Sequence, residues 1–348
     1  MSSSFFATSL SDLAVIEISG ADAASFLHGQ LSHDISSLLP GQAHLAGYCT
    51  AKGRLLGSMV VWPVSGAEVP TLRALIKADI AESVVKRLSM FVLRAKAKLS
   101  VTQTPVLGLS LAVDADSRQN IAPAQPTGAQ AGAILAEQAA TLPKNPLPFT
   151  VIYTEAGDWI SAVGAEGEPV RWWLAAASAV DADYFPDTGE AGRSAWQAAD
   201  IAAGLPWVQA ATQDVFIPQT LNLDLIDGVS FTKGCYPGQE VVARSHYRGT
   251  VKRRTAYGVV QDGPDIDVDA LPGIDTFDAK RPDNPAGRIV NAARMASASQ
   301  GSEKPATGAI HVLMEVQLAD LAQVDFRLGS ASGPVIELRP LPYDIEAP

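Results

Sequence analysis

The sequence predicts an α+β protein, and three features carry that prediction. Short strand and helix patterns alternate early, one stretch has strict two-residue alternation, and the C-terminal third is a series of strands separated by turn residues. Residues 15–18 form a strand pattern that Gly20 breaks, and residues 21–28 follow as a helix with Asp22 near its start and Gly29 placed to end it. Residues 59–62 and 72–77 are further strand patterns. Asp79 then reads as a helix N-cap with Glu82 completing a capping box, and Ile80, Val84, Val85 and Leu88 share one face behind it. In the next stretch Phe91, Leu93, Ala95, Ala97 and Leu99 alternate with Arg94, Lys96 and Lys98, which predicts a half-buried strand.

Residues 114–148 turn to Ala, Gln, Pro and Gly, so the segment is either a flexible insertion or one helix over 129–142 between loops. Strand character returns at 149–153 and 159–163, and a helical pattern over 194–203 stops at Gly204-Leu-Pro206. Strands at 257–261, 288–291, 310–316, 324–328 and 335–338 then suggest a small barrel or sandwich. A boundary near residue 256 divides the chain into 1–255 and 256–348, and no internal repeat is visible.

Bulk composition narrows the function. The chain has 348 residues, 47% hydrophobic and 18% charged, which describes an ordinary globular protein. Its net charge of −11 disfavours a broad electrostatic grip on nucleic acid. The two cysteines, Cys49 and Cys235, are too few for a four-thiolate metal or iron–sulfur site and fit a reduced compartment. His28, His33, His44 and His311 show no metal-ligand spacing, so no intrinsic metal is expected. The N-terminus lacks a basic stretch before an apolar run, and no apolar run is long enough to span a bilayer, so a cytoplasmic protein is expected.

The segment richest in chemistry is Lys233-Gly-Cys-Tyr-Pro-Gly-Gln-Glu240. Gly234 and Gly238 bracket Cys235, Tyr236 and Pro237, so the backbone turns tightly there. Glu240 at the edge of an apolar run suits the adjacent N–H donors of a pterin-type ring; a surface glutamate beside a tight turn and a buried cysteine is the plainer alternative. Arg244, His246, Arg248, Lys252, Arg253 and Arg254 form a basic stretch, either a solvated turn or a landing strip for the anionic tail of a ligand or a phosphate-bearing partner. Lys233 and the basic stretch are placed to lower the Cys235 thiol pKa, whereas an inert buried cysteine is the alternative.

The run Lys233–Glu240, followed by Val-Ala-Arg244, closely resembles the signature of the YgfZ family of folate-binding proteins, which is related to the glycine-cleavage T-protein. Ser19-Gly-Ala-Asp22 with Gly29–Asp34, Cys49–Arg54, Ile201–Pro206, Phe216–Gln219 with Asn222, and Leu341-Pro-Tyr343 also resemble family blocks. The resemblance implies three subdomains in a ring around a central folate-binding hole, with a C-terminal β-barrel. It implies tetrahydrofolate or a one-carbon derivative as cofactor, and iron–sulfur client enzymes, including tRNA-modifying ones, as partners. It places Trp196 where the family carries a folate-associated aromatic; a second such aromatic falls near Leu13, which cannot stack. The folate-binding set expected is Trp196, Tyr236, Gln239, Glu240 and Arg248, with Cys235 and Lys233 as the reactive pair. Where the T-protein carries paired aspartates this chain has Gly57-Ser58, which implies loss of aminomethyltransferase chemistry. A folate-dependent one-carbon transferase and a protein- or tRNA-docking scaffold are the competing readings.

Overall fold

The computed structural model describes residues 5–111, 137–138, 140–164, 167–177, 189–247, 251–261, 266–295 and 308–345. The chain runs through β1 (Phe5–Ser9), β2 (Leu13–Ser19), α1 (Ala23–His28), β3 (His44–Cys49), β4 (Leu55–Pro63), β5 (Thr71–Lys77) and α2 (Ala78–Ser89). It continues with β6 (Lys98–Val101), β7 (Val106–Leu111), β8 (Val151–Thr154), β9 (Gly157–Ser161) and β10 (Val170–Ala176). Two helices follow, α3 (Gly189–Ala202) and α4 (Gln239–Tyr247). The described residues end in β11 (Arg253–Val260), β12 (Asp275–Asp278), β13 (Arg281–Arg294), β14 (Ile310–Gln317), β15 (Phe326–Leu328) and β16 (Ile336–Arg339).

These strands form three antiparallel sheets. One has the order β3-β4-β5-β2-β6, a second β1-β7-β10-β9-β8, and the third β15-β12-β13-β14-β11-β16. The third sheet curls until its edge strands approach each other, with a single bridge between Arg327 and Val335. Period-two alternation explains how it serves two cores. On β14, Ile310, Val312, Met314 and Val316 fill the interior of the curl, while Leu313 joins the large core shared with the first sheet.

Several predicted elements are present with shifted ends, and others differ. Asp22 stands at the N-cap of α1, as its place in the sequence suggested, but its carboxylate accepts the Lys96 N–H at 2.7 Å and no N–H of the helix. Asp79 and Glu82 form no capping box, because α2 follows β5 directly with Lys77 at the N-cap. The Asp79 carboxylate reaches across to the Ala210 N–H at 2.8 Å. The predicted strand over 91–99 is a turn for most of its length, and only Lys98–Val101 pairs, along Ile16–Ser19 of β2. Three contacts account for this. The chain reverses after α2 through Phe91 N–H to Leu88 O (2.9 Å) and Ala95 N–H to Val92 O (2.7 Å). The Lys96 carbonyl then packs so closely on Gly20 (φ 130°) that a Cβ there would lie 2.1 Å from it. Leu93 is consequently left-handed (φ 45°) and 87% exposed, not half-buried. Most of the 114–148 segment lies outside the described residues; Glu137, Gln138, Ala140 and Thr141, within the predicted helix, are helical. Helix α3 ends as its sequence dictates: Gly204 is left-handed (φ 69°) and donates to Ile201 O at 2.9 Å, with Pro206 beyond.

Candidate functional site

Among the described residues, a cavity and a loop bring together the polar side chains that bear on function. The cavity has a volume of about 490 Å³ and lies where the first sheet, α3 and the curled sheet meet. Asp12 enters it just before β2, Lys77 and Asp79 from the β5–α2 junction, Gln197 and Asp200 from α3, and Asn291 from β13. The segment after α3 supplies Leu205, Trp207 and Gln209.

The polar groups of this wall are coupled. Asp12 Oδ2 accepts from Lys77 Nζ at 2.6 Å and from Gln197 Nε2 at 2.8 Å. Burial pushes the Asp12 carboxyl up, but Lys77 and the two hydrogen bonds outweigh it, and the net lies below the ordinary value. Arg171 and Asp200 make an almost fully buried ion pair at 2.6 Å, and Trp207 Nε1 donates to the second Asp200 oxygen at 3.0 Å. Burial raises the Asp200 carboxyl above its ordinary value, and Arg171 offsets this only in part. Asn291 holds Trp207 by both backbone groups, accepting its N–H at 2.9 Å and donating to its carbonyl at 2.8 Å. Behind the same segment, Ser58 is fully buried: its Oγ donates to Pro206 O at 3.3 Å and accepts the Val208 N–H at 3.0 Å. The Gly57-Ser58 position therefore presents no carboxylate, and its only hydroxyl is engaged with backbone.

Trp196 sits on α3 among these residues but is only 2% exposed. Its ring is enclosed: Gly108 approaches so closely that a Cβ there would lie 2.4 Å from Cε3, and Arg171 stands 4.9 Å from the ring centroid. Its helix neighbours Gln197, Asp200 and Ile201 line the cavity instead. Leu13 is buried in the core.

The loop Lys233–Glu240 contributes nothing to the cavity lining. It packs on the β3–β4 turn, where Gly238 (φ 82°) comes so near that a Cβ would lie 2.4 Å from Thr50 O and 2.6 Å from Gly53 Cα. Lys233 Nζ donates to His28 O and, at 2.6 Å, to Leu31 O. It also stands 4.9 Å from the Tyr236 ring. Burial lowers the Lys233 ammonium to about 8, with Asp34 and Cys235 offsetting part of the effect. Tyr236 is buried and its hydroxyl is raised by that burial. Cys235 is exposed, whereas Cys49 is buried and its thiol is pushed up to about 12. Gln239 and Glu240 open α4, with Gln239 half-buried and Glu240 exposed.

The basic stretch is divided by structure. Arg254 pairs with Asp224 at 2.5 Å and Arg253 with Glu315 at 2.9 Å, while Arg244, His246 and Lys252 are exposed. Arg248 lies outside the described residues. Sequence reasoning thus located the loop and one cavity helix, and missed Asp12, Lys77, Gln197, Asp200 and Asn291 as partners. They come from four separate segments of chain and share no local motif.

The fold is like that of a solved aminomethyltransferase. The structure of glycine cleavage system aminomethyltransferase T from Bartonella henselae matches with a TM-score of 0.64 and 16% identity, covering 98% of this chain and 86% of that one. At the sequence level, "tRNA-modifying protein YgfZ" from Klebsiella pneumoniae (strain 342) is 32% identical over 270 residues, 74% of this chain and 75% of the relative. Its namesake from Cronobacter sakazakii (strain ATCC BAA-894) is 32% identical over 272 residues, 75% and 74% of the two chains. The chain belongs to the YgfZ family. No family model matches it. No helix among the described residues is long and apolar enough to cross a membrane.

Proposed function

We propose that this protein binds tetrahydrofolate, or a one-carbon derivative of it, in the cavity beside α3, and that it supports the assembly or repair of iron–sulfur enzymes that modify tRNA. The observation that carries the binding half is the cavity itself. About 490 Å³ is within the range of small-molecule sites, and its lining combines apolar surface with a few fixed polar groups. The Asp12 carboxylate and the Gln197 and Gln209 amides suit the hydrogen-bonding edge of a pterin, and Ile201, Leu205 and Trp207 suit its faces. The likeness of the fold to an aminomethyltransferase and the "tRNA-modifying" name of the relatives support the same reading.

In this reading the three sheets and their helices are three subdomains around the folate hole, and the curled sheet is a barrel. Gly57 and Ser58 supply no carboxylate, so the paired aspartates of the aminomethyltransferase have no counterpart at that position, and in this reading the chain holds the folate without that enzyme's chemistry. Lys77 has the pivotal part, because it anchors Asp12 in one orientation.

Calorimetric titration of the purified protein with tetrahydrofolate is the test of binding. Saturable heat is expected, weakened about tenfold or more in Lys77→Met. No heat at folate concentrations well above those of a cell sinks the proposal. For the cellular half, mass spectrometry of tRNA nucleosides in a deletion strain is expected to show a deficit that the wild-type gene restores.

A further inference from the structure

The charge on the cavity falls into two parts. Of the carboxylates on its lining, Asp12 is matched by Lys77 and Asp200 by Arg171. Asp79 and Asp269 lie on the same lining but are exposed, and neither has a cationic partner among the described residues. Lys77 is the only cation on the lining among those residues, and Asp12 already holds it. The interior is therefore balanced, while the mouth carries two unmatched negative charges.

Both of these carboxylates are held where they stand. Asp79 is in the first turn of α2, where it covers the positive end of the helix dipole, and it accepts the Ala210 N–H at 2.8 Å. A helix end that would otherwise attract an anion is thereby neutralised. Asp269 belongs to the turn 268–271, closed by the Leu271 N–H on Val268 O at 3.2 Å. Its own N–H donates to Asp267 Oδ1 at 3.2 Å, so a third exposed carboxylate stands beside it. One cation reaches the edge: Arg193 donates to Ser11 Oγ at 2.9 Å and has no carboxylate partner among the described residues, although it is not on the lining itself.

We infer that the cavity accepts folates with a single glutamate and discriminates against polyglutamyl forms, with Asp79 and Asp269 as the residues that set this preference. The inference rests on the folate reading above and deepens it. A folate has a flat ring at one end and a glutamate at the other, and each further γ-linked glutamate adds one carboxylate. The inner wall has no cation left for a carboxylate, because Lys77 and Arg171 are both engaged and an unmatched buried charge is costly. It does offer the ring an acceptor: Asp12 Oδ1 is shielded from solvent and has no hydrogen-bond partner among the described residues. The ring thus enters first, and the tail is left at the mouth, facing Asp79 and Asp269. Arg193 is a match for one glutamate, not for a chain of them. Each added glutamate then meets like charge with no free cation on the lining to offset it, a repulsion that salt screens.

The test is calorimetric titration of the full-length protein with tetrahydrofolate and with tetrahydrofolate pentaglutamate, each at low and high salt. In about 20 mM salt the pentaglutamate is expected to bind about tenfold more weakly, and in about 0.5 M salt the two are expected to agree within about twofold. The double substitution Asp79→Asn and Asp269→Asn is expected to bring the low-salt ratio below about threefold. Asparagine keeps an acceptor for the Ala210 N–H, so the change is chiefly one of charge. Should the double variant fail its melting control, Asp269→Asn alone, on an exposed turn, is expected to lower the ratio by about half. Equal or tighter binding of the pentaglutamate at low salt overturns the inference and leaves the folate reading standing. A ratio that neither salt nor the substitutions move overturns it as well. Heat from neither ligand removes the folate reading and this inference with it.

Discussion

The two cysteines show how much one residue's surroundings decide. Cys49 closes β3 inside the core with its thiol raised to about 12, while Cys235 stands exposed between two glycines. Alkylation of the native protein near neutral pH is expected to modify Cys235 alone, and Cys49 only after unfolding in denaturant. Lys233 makes a pH prediction. Its folded value of about 8 lies below the ordinary 10.5, so between those limits the unfolded chain binds more protons than the native one. Stability therefore rises with pH across that window and is flat below it as far as this group is concerned. Urea denaturation at several pH values is expected to show that slope in wild type and to lose it in Lys233→Met. The buried Arg171–Asp200 pair predicts a larger effect: Arg171→Met strands a carboxylate in the core, at a cost of about 3–5 kcal/mol in the same assay.

At the scale of elements, the loop's turn was readable from Gly234 and Gly238, and the structure gives one of them a specific task. Any side chain at Gly238 meets Thr50 O, and the left-handed φ adds strain. Gly238→Ala is expected to cost about 1–3 kcal/mol and to speed proteolysis within the loop. The helices were legible because their apolar faces are periodic, as α2 shows with Ile80, Val84, Val85 and Leu88 all buried. Alternation misled over 91–99, because the same two-residue pattern also fits a turn whose alanines pack inward. What decides between the two is the contact of Lys96 with Gly20 and Asp22, more than seventy positions away and invisible to a local pattern. Likewise β3 and β10 were missed: His44–Cys49 and Val170–Ala176 are buried almost throughout, so they carry continuous apolar runs instead of alternation.

The whole molecule is joined by a few polar fasteners set in apolar contact. Asn222, left-handed at φ 58°, donates to Thr255 O at 2.8 Å and accepts the Thr255 N–H at 3.2 Å, linking the chain before α4 to the curled sheet. Asn291 does the same between β13 and Trp207. Asn291→Ala leaves two buried backbone groups unpaired and is expected to cost about 2–6 kcal/mol by denaturation, at about 1–3 kcal/mol for each group, and to weaken folate binding by loosening one cavity wall. The α+β class and the strand-rich C-terminal part were legible in the sequence, whereas the cavity was not, since it exists only once distant segments meet. Its position at that junction is the centre of the account. Hydrogen exchange with and without tetrahydrofolate tests it most directly. Slowed exchange is expected over residues 11–14, 76–80 and 197–211, with 233–240 unchanged. Protection confined to 233–240, or none anywhere, contradicts it.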